Sequence, residues 1–105
     1  MQTAKELLKF IESSPSCYHV IRNFRELLRA EGYTELYEQE RWTLTQGGKY
    51  FVVRNESSVI AFRVPGFDFT GFMMSAAHSD SPTFKIKENP ELANAFCVRL
   101  DTEKY

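Results

Sequence analysis

"KYFVVRNESSVIAFRV", Lys49 to Val64, is the stretch on which the fold reading turns. Two runs rich in β-branched and aromatic residues flank the polar group Asn55-Glu56-Ser57-Ser58. Such runs suit a pleated, half-buried backbone, and Asn and Ser in a short gap favour chain reversal. The stretch therefore predicts a β-hairpin from Tyr50 to Val64, with Arg54 and Asn55 as turn formers.

Upstream of the hairpin, Gly47-Gly48 reads as another hairpin turn, preceded by a short β run, "RWTL", at Arg41 to Leu44. It is not a phosphate loop, because no helix start follows it. The charged run Glu35 to Arg41 reads as a solvated connection. Before it the period changes from two to 3.6. Cys17, Val20, Ile21, Phe24, Leu27 and Leu28 form one apolar stripe, with Arg22, Arg25, Glu26 and Arg29 mostly opposite. Ser16 is placed to cap this helix and Gly32 to end it in a left-handed turn. Ahead of Ser14-Pro15, a first helix is predicted from Thr3 to about Ser13. Thr3 and Glu6 stand in capping-box spacing, and Ala4, Leu7, Leu8 and Ile11 follow at helical intervals.

Downstream, "PGFDFTG" is a turn region, and Phe72 to Ala77 predicts a third strand. Its near-continuous apolar and small residues suit a central strand covered on both faces, as in an α/β sheet. Thr83 to Lys87 and Phe96 to Leu100 are further strand candidates, with Asn89-Pro90 between them. Phe62, Phe67, Phe69 and Phe72 read as core and loop anchors, with part of a pocket or a subunit contact as the alternative. The chain stops at "RLDTEKY" without a turn signal after a strand-like run, which reads as a cut within a longer domain.

Composition narrows the function classes. The chain has 105 residues, one small domain's worth, with 13 basic and 14 acidic side chains and a net charge of -1. That balance argues against a nucleic-acid or membrane-surface role, both of which need a concentrated basic patch. No window resembles a signal peptide or a membrane span. Cys17 and Cys97 read as free thiols, and the expected compartment is a reducing cytoplasm.

The chemistry-bearing stretch is "SAAHSDSPTFKIK", Ser75 to Lys87. His78 closes an apolar run, Asp80 follows two positions later, and Pro82 stiffens the loop, whose backbone Ser79 and Ser81 can bond. On an extended backbone, residues i and i+2 project to the same side. Asp80 could then hold one ring nitrogen while the other faces a metal, and open α/β sheets place ligands at the carboxyl ends of strands. An isolated His-x-Asp is common, a strand ending in a polar turn accounts for both residues and is favoured on pattern alone, and one histidine cannot form a hydrolytic zinc site alone. His19 reads as a packing or capping residue of the second helix. It makes no nucleophile pair with Cys17, since residues i and i+2 on a helix do not face each other.

"FIESSPSCYHVI", "RWTLTQGGKYFVVRNESSVIAF" and "SAAHSDSPTFKIK", in this order and spacing, resemble the N-terminal part of the aspartyl aminopeptidase and vacuolar aminopeptidase I family of zinc metallopeptidases. The resemblance runs over nearly the whole chain. It implies a three-layer α/β/α peptidase domain interrupted by an oligomerisation domain. Residues 1–95 would be the N-terminal portion of the first, and 96–105 the start of the crossing into the second. It also implies an aminopeptidase with two zinc ions, His78 binding one of them and Asp80 supporting that ligand. Peptide substrates, acidic at the N-terminus in one branch, and homo-oligomers, commonly dodecamers, are further implications. The bridging aspartate, the Glu-Glu pair and the other histidine ligands of the family lie beyond Tyr105, so the chain alone is expected to be inert. Two readings compete: a non-enzymatic binding or assembly module, and a different zinc hydrolase with the same His-x-Asp.

Overall fold

The computed structural model describes residues 2–104. Two helices lead into two small sheets, an α/β arrangement. Helix α1 spans Gln2–Glu12 and α2 spans Cys17–Ala30. Strands β1 (Thr34–Leu36), β2 (Lys49–Arg54) and β3 (Ser58–Arg63) form one sheet in that order. β1 pairs with β2 in parallel, and β2 pairs with β3 antiparallel. Strands β4 (Phe84–Ala93) and β5 (Val98–Lys104) form a second, two-stranded antiparallel sheet.

The termini of α2 follow from single residues. Ser16 is extended (φ -141°, ψ 165°), and its hydroxyl accepts from the His19 amide at 3.4 Å and lies 2.7 Å from His19 Nδ1. At the other end Gly32 has φ 81°. The Gly32 and Tyr33 amides donate back to the carbonyls of Arg29 and Leu28 at 3.1 and 2.9 Å. This is the Schellman closure, which needs a residue without a Cβ penalty at that position. The capping box expected at Thr3 is not formed. Helix α1 already includes Gln2, so Thr3 lies inside the helix rather than before it.

The hairpin forms as predicted, with Tyr50 opposite Phe62 and Arg54 opposite Ser58. Tyr50 and Phe62 stack at 5.7 Å between centroids, and Trp42 extends the cluster at 6.5 Å from Phe62. Phe51, on the opposite face by strand alternation, is fully buried, as is Ile21 of α2, the helix that packs on β1 and β3. Each such side chain contributes about 1.5–3 kcal/mol by leaving water. Helix α1 attaches through Phe10 and Phe24, edge to face at 5.2 Å, and through Asn23, whose amide donates to the Ser13 carbonyl and the Ser14 hydroxyl. Its Leu7, Leu8 and Ile11 stripe faces solvent.

Several expectations are corrected. Arg41 to Leu44 forms no strand; Trp42 instead donates its indole N–H to the Tyr37 carbonyl at 2.9 Å. Gly47-Gly48 is therefore a turn into β2, tied to the end of β3 by the amide of Gly47 donating to Val64 and that of Val64 to Gly48. Phe72 to Ala77 is irregular and exposed, because no neighbouring backbone among the described residues offers it a ladder. Glu35 is no solvated linker but the middle of β1, its side chain 7% exposed. Strand β4 runs through Asn89-Pro90 instead of stopping before it, with a register shift between Ile86 and Glu91 that accommodates the proline. Asn94 closes the turn to β5 by accepting from the amides of Phe96 and Cys97.

The radius of gyration is 19.9 Å, with extents of 71 × 40 × 23 Å. A compact chain of this length would measure about 13 Å. Apolar side chains along residues 67–74 and on the β4–β5 hairpin, including Phe72, Met73, Met74 and Phe96, remain in solvent.

Candidate functional site

His78 sits in the irregular segment between β3 and β4, not at a strand end. A local loop performs the alignment that extended geometry was expected to provide. His78 Nδ1 lies 2.9 Å from the Asp80 carbonyl and 3.0 Å from Asp80 Oδ1. Both partners are acceptors, and the carbonyl has no other role available. Nδ1 must therefore carry the proton, which leaves the lone pair of the neutral ring on Nε2. The side chain is 80% exposed, so that lone pair is open to a ligand. Sequence reasoning brought these two residues together, and the structure pairs them directly.

The neighbouring serine fixes where the loop lies. Ser79 donates its hydroxyl to the Ser57 carbonyl at 3.1 Å, a partly buried bond. Ser57 belongs to the β2–β3 turn, in which Asn55 (φ 52°) and Glu56 (φ 54°) are both left-handed. Asn visits that region readily; for Glu it costs roughly 1–2 kcal/mol. The turn closes with the Ser57 amide donating to the Arg54 carbonyl at 3.2 Å.

A charge network spans from α2 to this turn. Arg25 donates to both oxygens of Glu56, at 2.9 and 3.0 Å. The hydrogen bond to Glu56, with Glu35 beside it, holds the Arg25 pKa above its ordinary value against partial burial. The same bond holds the Glu56 carboxyl below its ordinary value. Arg25 Nε lies 3.1 Å from Glu35 Oε1, an ion-pair contact whose angle falls short of a hydrogen bond, so this buried nitrogen has no hydrogen-bond partner. Arg29 also donates to Glu35, and Arg54 pairs with Glu38, which raises the Arg54 pKa.

Against known proteins, residues 10–105 match the model of the aminopeptidase I zinc metalloprotease (M18) family. The chain belongs to the M18 family. It is 44% identical to a probable M18 family aminopeptidase 2 of Clostridium acetobutylicum, over 100% of this chain and 25% of that protein. It is 38% identical to an aspartyl aminopeptidase of Dictyostelium discoideum, over 97% of this chain and 22% of that one. Among solved structures, mApe1 of Chaetomium thermophilum superposes with a TM-score of 0.82 at 34% identity, covering 96% of this chain and 24% of that one. An mApe1 dodecamer of Saccharomyces cerevisiae gives a TM-score of 0.74 at 28% identity, covering 98% and 25%. This M18 chain thus spans about a quarter of the length of the relatives it matches.

The donor set of this M18 chain fits one corner of a zinc site. A single imidazole has one nitrogen occupied by a brace and the other free. Among the described residues, no group of three His, Cys, Asp or Glu side chains converges to hold a metal. Among the described residues no hydrogen bond joins His19 to His78; His19 bonds Ser16 at the start of α2. Cys17 and Cys97 are free thiols. Arg25 and Glu35 escaped the sequence reading as participants, and Ser79, expected to bond its own loop's backbone, bonds the Ser57 carbonyl instead. The alternation Thr34-Glu35-Leu36 after Gly32 was a signal for β1, but nothing local announces the Ser79–Ser57 bond.

Proposed function

We propose that the protein carrying this chain is a zinc aminopeptidase that removes N-terminal residues, acidic ones among them, from peptides. His78 supplies Nε2 to one of two zinc ions, and Asp80 holds the ring through Nδ1. The observation that carries the reading is this pairing in an M18 chain: Nδ1 lies within 3.0 Å of two Asp80 oxygens, and the ring is otherwise exposed. A zinc ion held there would supply Lewis-acid chemistry to the scissile carbonyl and to the attacking water. The chain's own part is to hold one imidazole by Nδ1 and leave Nε2 exposed.

The general base and remaining ligands belong to other parts of the protein, and residues 1–105 alone are inert. Residues 1–95 are the start of the peptidase domain, and 96–105 open the crossing into an inserted oligomerisation domain. The assembly is a homo-oligomer, on the pattern of the dodecamer named for the yeast relative, and the compartment is the cytoplasm.

The test is zinc content by mass spectrometry together with hydrolysis of aspartyl- and leucyl-anilides by the full-length protein. His78→Ala should lose most of the activity and lower zinc occupancy. Asp80→Ala should cost roughly 10–100-fold in metal affinity or activity. Unchanged zinc content in the His78→Ala variant would remove the ligand assignment.

A further inference from the structure

We infer that Arg25, on α2, is a positioning residue for His78, acting through the Glu56 turn, the Ser57 carbonyl and the Ser79 hydroxyl. The inference rests on the zinc role proposed for His78. Asp80 aims the ring relative to its own loop, but the loop must also be aimed relative to the rest of the domain. Among the described residues, backbone hydrogen bonds do not tie residues 65–83 to the helix and sheet. The Ser79 hydroxyl on the Ser57 carbonyl, at 3.1 Å, is the hydrogen bond that does.

The direction of that carbonyl is set by a turn that Glu56 adopts at a cost in backbone strain, since its φ is 54°. Beside the Ser57–Arg54 backbone bond, the two-pronged bond from Arg25, a planar fork matched to a carboxylate, holds Glu56 there. Glu35, in β1, steadies the third guanidinium nitrogen at 3.1 Å. The helix, the parallel strand, the hairpin turn and the metal loop are thus joined in series: Arg25 to Glu56, Glu56 to Ser57 along the backbone, and Ser57 to Ser79, next to His78. Without the Arg25 link the turn can relax toward right-handed conformations, the Ser57 carbonyl swings away, and the imidazole loses its fixed place although Asp80 still holds it.

Zinc affinity of the full-length protein, measured by competition with a fluorescent chelator, reads this coupling without reference to turnover. Arg25→Met and Ser79→Ala should each weaken zinc binding by about tenfold, the low end of the range for groups that orient a ligand. Because they cut one series, the double variant should be no weaker than either single variant; multiplied losses would overturn the inference. Ser79→Thr, which keeps the hydroxyl, should bind as the parent does. Glu56→Gly in the Arg25→Met background should restore affinity to within about threefold, because glycine holds a left-handed turn without a clamp. Should Arg25→Met fail to fold, Glu56→Gln carries the test. It leaves the Arg25–Glu35 contact in place and should weaken binding similarly, and parental affinity there overturns the inference. Zinc binding unchanged by His78→Ala would overturn the ligand reading itself. Zinc lost in His78→Ala but parental in Arg25→Met and Glu56→Gln would overturn the positioning role alone.

Discussion

Gly48→Ala is the smallest substitution with a large expected effect. A Cβ at Gly48 would clash with Cε2 and the hydroxyl of Tyr50 and lie 2.6 Å from its Cζ. A tyrosine at the surface would swing aside at little cost. Tyr50 is 7% exposed, however, and its oxygen accepts from the Thr45 amide at 2.9 Å and lies 3.0 Å from the Thr45 hydroxyl. Moving the ring forfeits both bonds, about 0.5–1.5 kcal/mol each. It also forfeits the stack on Phe62, worth about 0.5–1.5 kcal/mol beyond its area. Moving the backbone instead breaks the bonds between Gly47, Gly48 and Val64, at similar cost. Either route destabilises the start of β2 by about 2–4 kcal/mol, which is roughly thirty- to several-hundred-fold in an opening equilibrium. Amide hydrogen exchange across β2 and β3 of the full-length protein should accelerate by that factor. In a Tyr50→Ala background, Gly48→Ala should be nearly neutral. An acceleration below about threefold in the parent background would refute the packing argument.

Two other outcomes follow from local features. Glu56, whose carboxyl is held below its ordinary pKa of 4.5 by the bond from Arg25, contributes stability that is fully present above that value and lost as pH falls through the depressed one. Arg25, shifted upward, loses its share only at strongly basic pH. The melting temperature should therefore separate parent from Glu56→Gln at pH 7, and the two should converge once the pH has fallen through the depressed value; a gap that persists below it would mean the ion pair is not its source. The neutral-pH gap should also shrink with added salt, since Glu56 is well exposed. Gly32→Ala meets nothing within 4 Å at its new Cβ, so only φ 81° opposes it. It should cost about 1–2 kcal/mol in unfolding free energy, and Gly32→Asn clearly less, by urea denaturation.

The parts of this molecule that could be read in advance are those decided within a few residues. Ser16 capping α2, Gly32 closing it, and the Lys49–Val64 hairpin each depend on a side chain and its near neighbours along the backbone. The pairing of His78 with Asp80 was legible for the same reason, although a loop achieves it rather than a strand. Similarity to the M18 family carried the functional class further than any local pattern could.

Where the expectation failed, the deciding contact lay far along the chain. Glu35 looked like one charge in a polar run until α2 folded over β1 and set Arg25 and Arg29 beside it. Phe72 to Ala77 has strand composition, but a strand exists only where a neighbouring backbone supplies a ladder. Propensity, capping and turn preference are written residue by residue into the sequence, so helices, hairpin and the His-x-Asp pair were settled there. Which carbonyl Ser79 meets, and which carboxylate Arg25 clamps, were left to the tertiary structure, because those bonds form only after distant segments have been brought together at the cost of their conformational entropy.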